Sequence, residues 1–162
     1  MKKYKWILIL VNLVVVLILF NSSIFKKEKL LADGQLVLLE LAPVDPRSLM
    51  QGDYMRLRYA ISNTVETDSI AKRGYCVVKL NEEGIAKKVR MQNQKNPIKD
   101  GEFLIRYNLM KWGRVSIGAE SYFFQEGDAE KYEKAKYGGL KVNQQGNSVL
   151  IGLYDENRQK IE

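Results

Sequence analysis

The sequence predicts a mainly β domain, an antiparallel β-barrel or sandwich with one short peripheral helix, preceded by a single N-terminal transmembrane helix. Three observations carry this expectation. Residues 6–25 form an apolar run interrupted inside its heart only by Asn12. Beyond them, short segments of alternating apolar and polar residues are separated by turns rich in Gly, Asn, Asp and Pro. One stretch alone in that region, residues 127–136, has the spacing and end chemistry of a soluble helix.

The apolar run comes first in the chain. At about 1.5 Å per residue it rises about 30 Å, the thickness of a bilayer's hydrocarbon core. Lys2, Lys3 and Lys5 precede it, which predicts a cytoplasmic tail over residues 1–5, an anchor over 6–25 and an exported body. Lys26, Lys27 and Lys29 reduce that contrast. The best cleavage-like site, Asn21-Ser22-Ser23, is a poor small-residue signal, so an uncleaved anchor in the cytoplasmic membrane is expected rather than a signal peptide. Asn12 reads as a tolerated amide rather than a helix-pairing contact. Residues 26–34 read as a juxtamembrane linker, and 35–162 as one extracytoplasmic β domain. The roughly 130 residues left after the anchor suit a single core.

Residues 35–42 are leucine-rich and read as a buried strand whose Glu40 lies at a solvated edge. Pro43 and Pro46 force an extended or turned path, and Gly52-Asp53 reads as a corner. Alternation then places Met55, Leu57, Tyr59 and Ile61 on a core face and Tyr54, Arg56 and Arg58 on a wet one. Residues 63–73 read as loop, 74–80 as a strand, 81–84 as a hairpin turn and 85–91 as its return. Strands over 102–109 and 114–119 follow, with a turn at Lys111-Trp112-Gly113. In the expected helix over 127–136, Asp128 serves as N-cap, and Gly138-Gly139 stop it. Strands 140–143 and 148–154 close the domain around a turn at 144–147.

The run Gly52-Asp53-Tyr54-Met55-Arg56-Leu57-Arg58-Tyr59 resembles the GDYXXLXY family of bacterial membrane-anchored proteins, matching every fixed position of its motif. Asp45-Pro46-Arg47 and residues 118–127, GAESYFFQEG, are similar to further parts of the pattern, so the resemblance runs from about Gln35 to the C-terminus. It implies one anchored extracytoplasmic domain, in some cases encoded beside a multi-pass membrane protein. It implies no catalytic residues.

Composition narrows the chemistry. The formal charge is +7, and setting aside Lys2, Lys3 and Lys5 leaves 23 basic residues against 19 acidic ones. That mild excess suits an anionic membrane surface, without the arginine-rich block or module of a nucleic-acid binder. Histidine is absent, which excludes histidine-dependent triads and two-histidine zinc sites. The one cysteine, Cys76, excludes an intrachain disulfide and reads as a small buried hydrophobe.

Ser48, followed by Gly52-Asp53, resembles in part the serine-lysine signal peptidases, with Lys79 as the base. Leucine rather than methionine follows Ser48, no proline comes next, and the spacing to Gly-Asp is short. Ser48 therefore reads as a turn residue and Lys79 as a solvated strand position, with an anchored peptidase as the alternative. Asp45, Asp53, Glu120 and Glu126 read as turn-bonding or arginine-pairing groups rather than a cation site. No metal or cofactor is expected. Tyr54 falls on the arginine face, which single-core packing does not explain. It packs under the Asp45-Pro46 loop with Arg47 or Glu126 near its hydroxyl, or it lines a partner surface with Arg56 and Arg58. Tyr59 and Tyr122 complete the set of motif residues. The functional expectation is a non-enzymatic accessory or interaction partner of a multi-pass membrane protein, inserted in the membrane and binding no nucleic acid. A small-ligand module is a further alternative.

Overall fold

The structure is a computed structural model, and it describes residues 2–42, 54–63, 70–125 and 127–162. It opens with α1 (Lys2–Asp33), a helix long and apolar enough to cross a membrane, with none of its apolar window buried against protein. The helix does not end at residue 25. Residues 26–33, expected as a linker, continue it, because this stretch holds good helix formers and no Gly or Pro before Gly34. The joint is tied on both sides: the Gly34 amide donates to the Leu30 carbonyl at 3.0 Å, and Lys141 Nζ donates to the Gly34 carbonyl at 2.8 Å.

Two antiparallel sheets follow. The first has the order β1-β8-β9, made by β1 (Gln35–Glu40), β8 (Tyr137–Val142) and β9 (Ser148–Tyr154). The second has the order β4-β3-β5-β6, made by β3 (Arg73–Leu80), β4 (Ala86–Gln92), β5 (Glu102–Leu109) and β6 (Val115–Ser116). A separate ribbon joins β2 (Tyr54–Arg56) to β7 (Ser121–Phe123). Short helices α2 (Ala60–Asn63) and α3 (Ala129–Tyr132) and a 3-10 turn at Lys111–Gly113 complete the described residues. Among the described residues the sheets form a sandwich-like fold and no closed barrel. One isolated parallel bridge, Leu38 with Ile85, links their edges.

Alternation builds the core between the layers. Val37 and Leu39, Leu140 and Val142, and Leu153 from the first sheet meet Cys76 and Val78, Ile105 and Tyr107 from the second. Leu104 is buried as well. Its side of β5 is closed by the β8–β9 turn, where the Arg106 amide donates to the Gly146 carbonyl at 2.9 Å. Glu40 lies half exposed beside Lys136 at 3.6 Å, the solvated edge its position predicts.

The strand expected to run to Ile61 is shorter. Its ladder ends at Arg56, and the chain then changes partners: the Leu57 amide donates to the Glu120 carbonyl at 2.8 Å, and the Ala42 amide to the Arg58 carbonyl at 2.7 Å. Ile61 is buried from α2 instead. Residues 114–119 hold a ladder only over Val115–Ser116, and the aromatic run at 121–123, not foreseen as a strand, is β7.

The helix expected over 127–136 shrinks to α3, and Gly138-Gly139 are not its stop signal. They lie inside β8 because aromatic rings take the space a Cβ needs: the Tyr59 ring is 2.9 Å from the Cβ position of Gly138, and the Tyr154 ring presses on Gly139. The proline-braced loop, Gly52-Asp53, part of the 63–73 loop and Glu126 lie outside the described residues.

Candidate functional site: the outer face of the β2–β7 ribbon

In the ribbon, Tyr54 pairs with Phe123, Met55 with Tyr122, and Arg56 with Ser121. Because successive strand residues point to opposite faces, this register sorts the side chains into two sets. Met55, buried, and Tyr122, half-buried, pack on the core. Tyr54, Arg56, Ser121 and Phe123 share the outer face.

That outer face is unusual for its aromatic content. Phe123 is 73% exposed, more than any other large hydrophobic side chain outside α1 among the described residues. The half-buried Tyr54 ring lies against it, with centroids 5.7 Å apart and planes tilted by 38°. Arg56 is exposed on the same face, and Arg58 is exposed just beyond the end of β2.

The other motif residues turn inward. Tyr59 is fully buried, and its hydroxyl donates to the Ala119 carbonyl at 2.7 Å. Burial, with the nearby Glu120 charge adding, pushes its phenol above the ordinary tyrosine range. Tyr122 meets Tyr132 edge-on at 5.0 Å. Burial first, then its hydrogen bond and charge interaction with Tyr132, push the Tyr122 phenol up to about 12. Glu120 accepts the Ile117 amide through its carboxylate, so it closes the turn entering β7. Asp45, Arg47, Gly52, Asp53 and Glu126 lie outside the described residues.

Sequence reasoning did not pick out Phe123. The signal was available in the run Tyr122-Phe123-Phe124: as a strand it must send its middle ring opposite to its neighbours, and Tyr122 and Phe124 both pack on the core.

The catalytic alternatives gain no geometry. Lys79 is exposed on β3 and lacks the desolvated setting a lysine base needs, while Ser48 lies outside the described residues. The Cys76 thiol is 1% exposed, and burial, offset in part by the charge of Lys88, pushes it up to about 12, which keeps it protonated and inert. Among the described residues no three His, Cys, Asp or Glu side chains gather in a way that could hold a metal ion.

The sequence profile of the GDYXXLXY protein family matches residues 16–153. No curated protein and no solved structure matches the chain. The profile takes in the second half of α1, both sheets and the ribbon, so the chain belongs to the GDYXXLXY protein family.

Proposed function

We propose that this protein is a non-enzymatic accessory of the cell envelope of a bacterium, held in the cytoplasmic membrane by α1 and gripping a multi-pass membrane protein through the outer face of the β2–β7 ribbon. The observation that carries the reading is Phe123, 73% exposed beside Tyr54 and with Arg56 on the same face. An aromatic ring left in solvent in the free protein gains burial from a partner, and aromatic and arginine side chains supply most hot spots of protein interfaces. Lys2, Lys3 and Lys5 favour a cytoplasmic N-terminus and an extracytoplasmic β domain. The anchor confines the domain near the bilayer and so raises the effective concentration of a membrane partner without requiring tight binding.

The position of the face selects which part of the partner it meets. From the end of α1, β1 carries the chain about 20 Å at about 3.3 Å per residue before it reaches the segment leading from the ribbon. If β1 leads away from the bilayer, the contact is with an extracytoplasmic loop or domain of the partner rather than with its membrane helices. Affinity isolation of the full chain from native membranes tests this. Phe123→Ser and Arg56→Ala are expected to lose one specific multi-pass protein recovered with the wild type, while their melting temperatures stay unchanged. Undiminished recovery by both variants would sink the proposal.

A further inference from the structure

A second surface lies at the other end of β1. A cleft of about 660 Å³ separates the last turns of α1 from the β8–β9 turn, with Lys26, Lys27 and Lys29 on one wall and Gln145, Asn147 and Ser148 on the other. Asp33 is the one acidic side chain among the described residues of its lining. The three lysines are exposed and form no ion pair among the described residues.

Depth gives this cleft its meaning. If residues 6–25 fill the hydrocarbon core, Lys26 stands at its boundary, and the rise from Lys26 to Lys29 is about 5 Å. The headgroup layer of one leaflet is about 5–8 Å thick. The cleft lining reaches from Ser23 to Gly34, so it opens at headgroup level. No flexible linker lifts the domain away, because α1 runs unbroken into Gly34 and is fastened there by Lys141. The turn itself is braced: Asn143 Oδ1 accepts the amides of Gln145 and Asn147, each at 3.0 Å. This leaves the Gln145 side chain to project from a fixed backbone.

We infer that this cleft binds the phosphate headgroup of an anionic phospholipid, phosphatidylglycerol being the probe of choice, and so seats the domain on the bilayer. Lysine ammonium groups supply the charge, and the amide and hydroxyl groups of the opposite wall supply donors. The inference rests on α1 crossing a bilayer and is independent of the ribbon face. Resistance of the full chain to alkaline extraction from membranes reports on that premise separately.

The test is native mass spectrometry of the full chain released from nanodiscs of equal phosphatidylglycerol and phosphatidylcholine. The wild type is expected to retain phosphatidylglycerol preferentially. A Lys26→Gln, Lys27→Gln, Lys29→Gln variant should lower that retention at least tenfold, since each lysine near an anionic surface contributes about fivefold. Gln145→Glu places a carboxylate in the cleft and should also lower it, whereas Gln159→Glu, the same charge change on an exposed residue beyond the far end of β9, should not. Equal retention of the two lipids by the wild type overturns the inference. So does an equal loss in Gln145→Glu and Gln159→Glu, which would reduce the effect to general surface charge.

Discussion

The Tyr59 ring lies so close to Gly138 that a methyl group there would stand 2.9 Å from the ring edge. The last tyrosine of the motif is thus a core residue whose partner is a missing side chain, set 79 positions later in the sequence. Gly138→Ala should destabilise the domain by about 1–3 kcal/mol through overpacking. In a Tyr59→Leu background the same substitution should cost measurably less, a coupling that a double-mutant cycle of thermal melts reads directly. Tyr59→Phe keeps the ring but strands the Ala119 carbonyl in a buried site, with an expected cost of about 1–3 kcal/mol by denaturant titration. Neither residue belongs to the proposed binding face. Loss of partner recovery in Gly138→Ala at a temperature where it remains folded would contradict this division of labour.

At the scale of elements, the two faces of the β2–β7 ribbon differ in burial: Met55 and Tyr122 pack on the core, and Phe123 stands in solvent. Phe123→Ala removes a ring that is already in solvent, so stability should change by no more than about 0.5 kcal/mol, as for ordinary surface substitutions. A larger drop in a thermal melt would mean that the outer face is part of the fold. The second sheet carries its own clamp. Arg90 on β4 reaches across β3 to Glu102 on β5 with contacts of 2.6 and 2.8 Å, and also donates to the Pro97 carbonyl at 2.8 Å.

The hydrogen bonds from Arg90 and from the Lys99 amide, with burial opposing and the Arg90 charge adding, lower the Glu102 carboxyl from 4.5 to about 2. Its folded value is depressed, so its contribution is complete above the unfolded value and is lost as pH falls from about 4.5 toward 2. Melts across that window should show a decline in the wild type that Glu102→Gln flattens. Parallel curves would rule the clamp out as a pH-dependent contributor.

Much of this architecture is legible in the alternation of residues. β5 and β9 fall where the pattern places them, and Met55, Leu57 and Tyr59 are buried as their period demands, because one buried face fixes strand phase. What local pattern did not show depends on distant contacts. Gly138-Gly139 look like a helix stop until the rings of Tyr59 and Tyr154 occupy the space above them. Tyr122-Phe123-Phe124 is an undivided aromatic run until pairing with β2 sends Phe123 to the outer face. Tyr54 was legible as an anomaly on a charged face, but its cross-strand neighbour Phe123 was not, since register between segments almost 70 residues apart is written in neither one.

At the scale of the whole molecule, an apolar helix runs through a tied joint into a sandwich-like domain, and the chain leading from the β2–β7 ribbon meets the end of β1 away from that helix, where Leu41 bridges Tyr59. We propose that the aromatic face of the ribbon meets a membrane protein partner. The most direct measurement is site-specific photo-crosslinking in native membranes, with a benzophenone side chain at position 123 and a control at position 89, where Val89 on β4 is 49% exposed. One dominant adduct is expected from position 123, mapping to an extracytoplasmic segment of a multi-pass protein, and none of it from position 89. The same adducts from both positions, or none from position 123, would contradict the proposal.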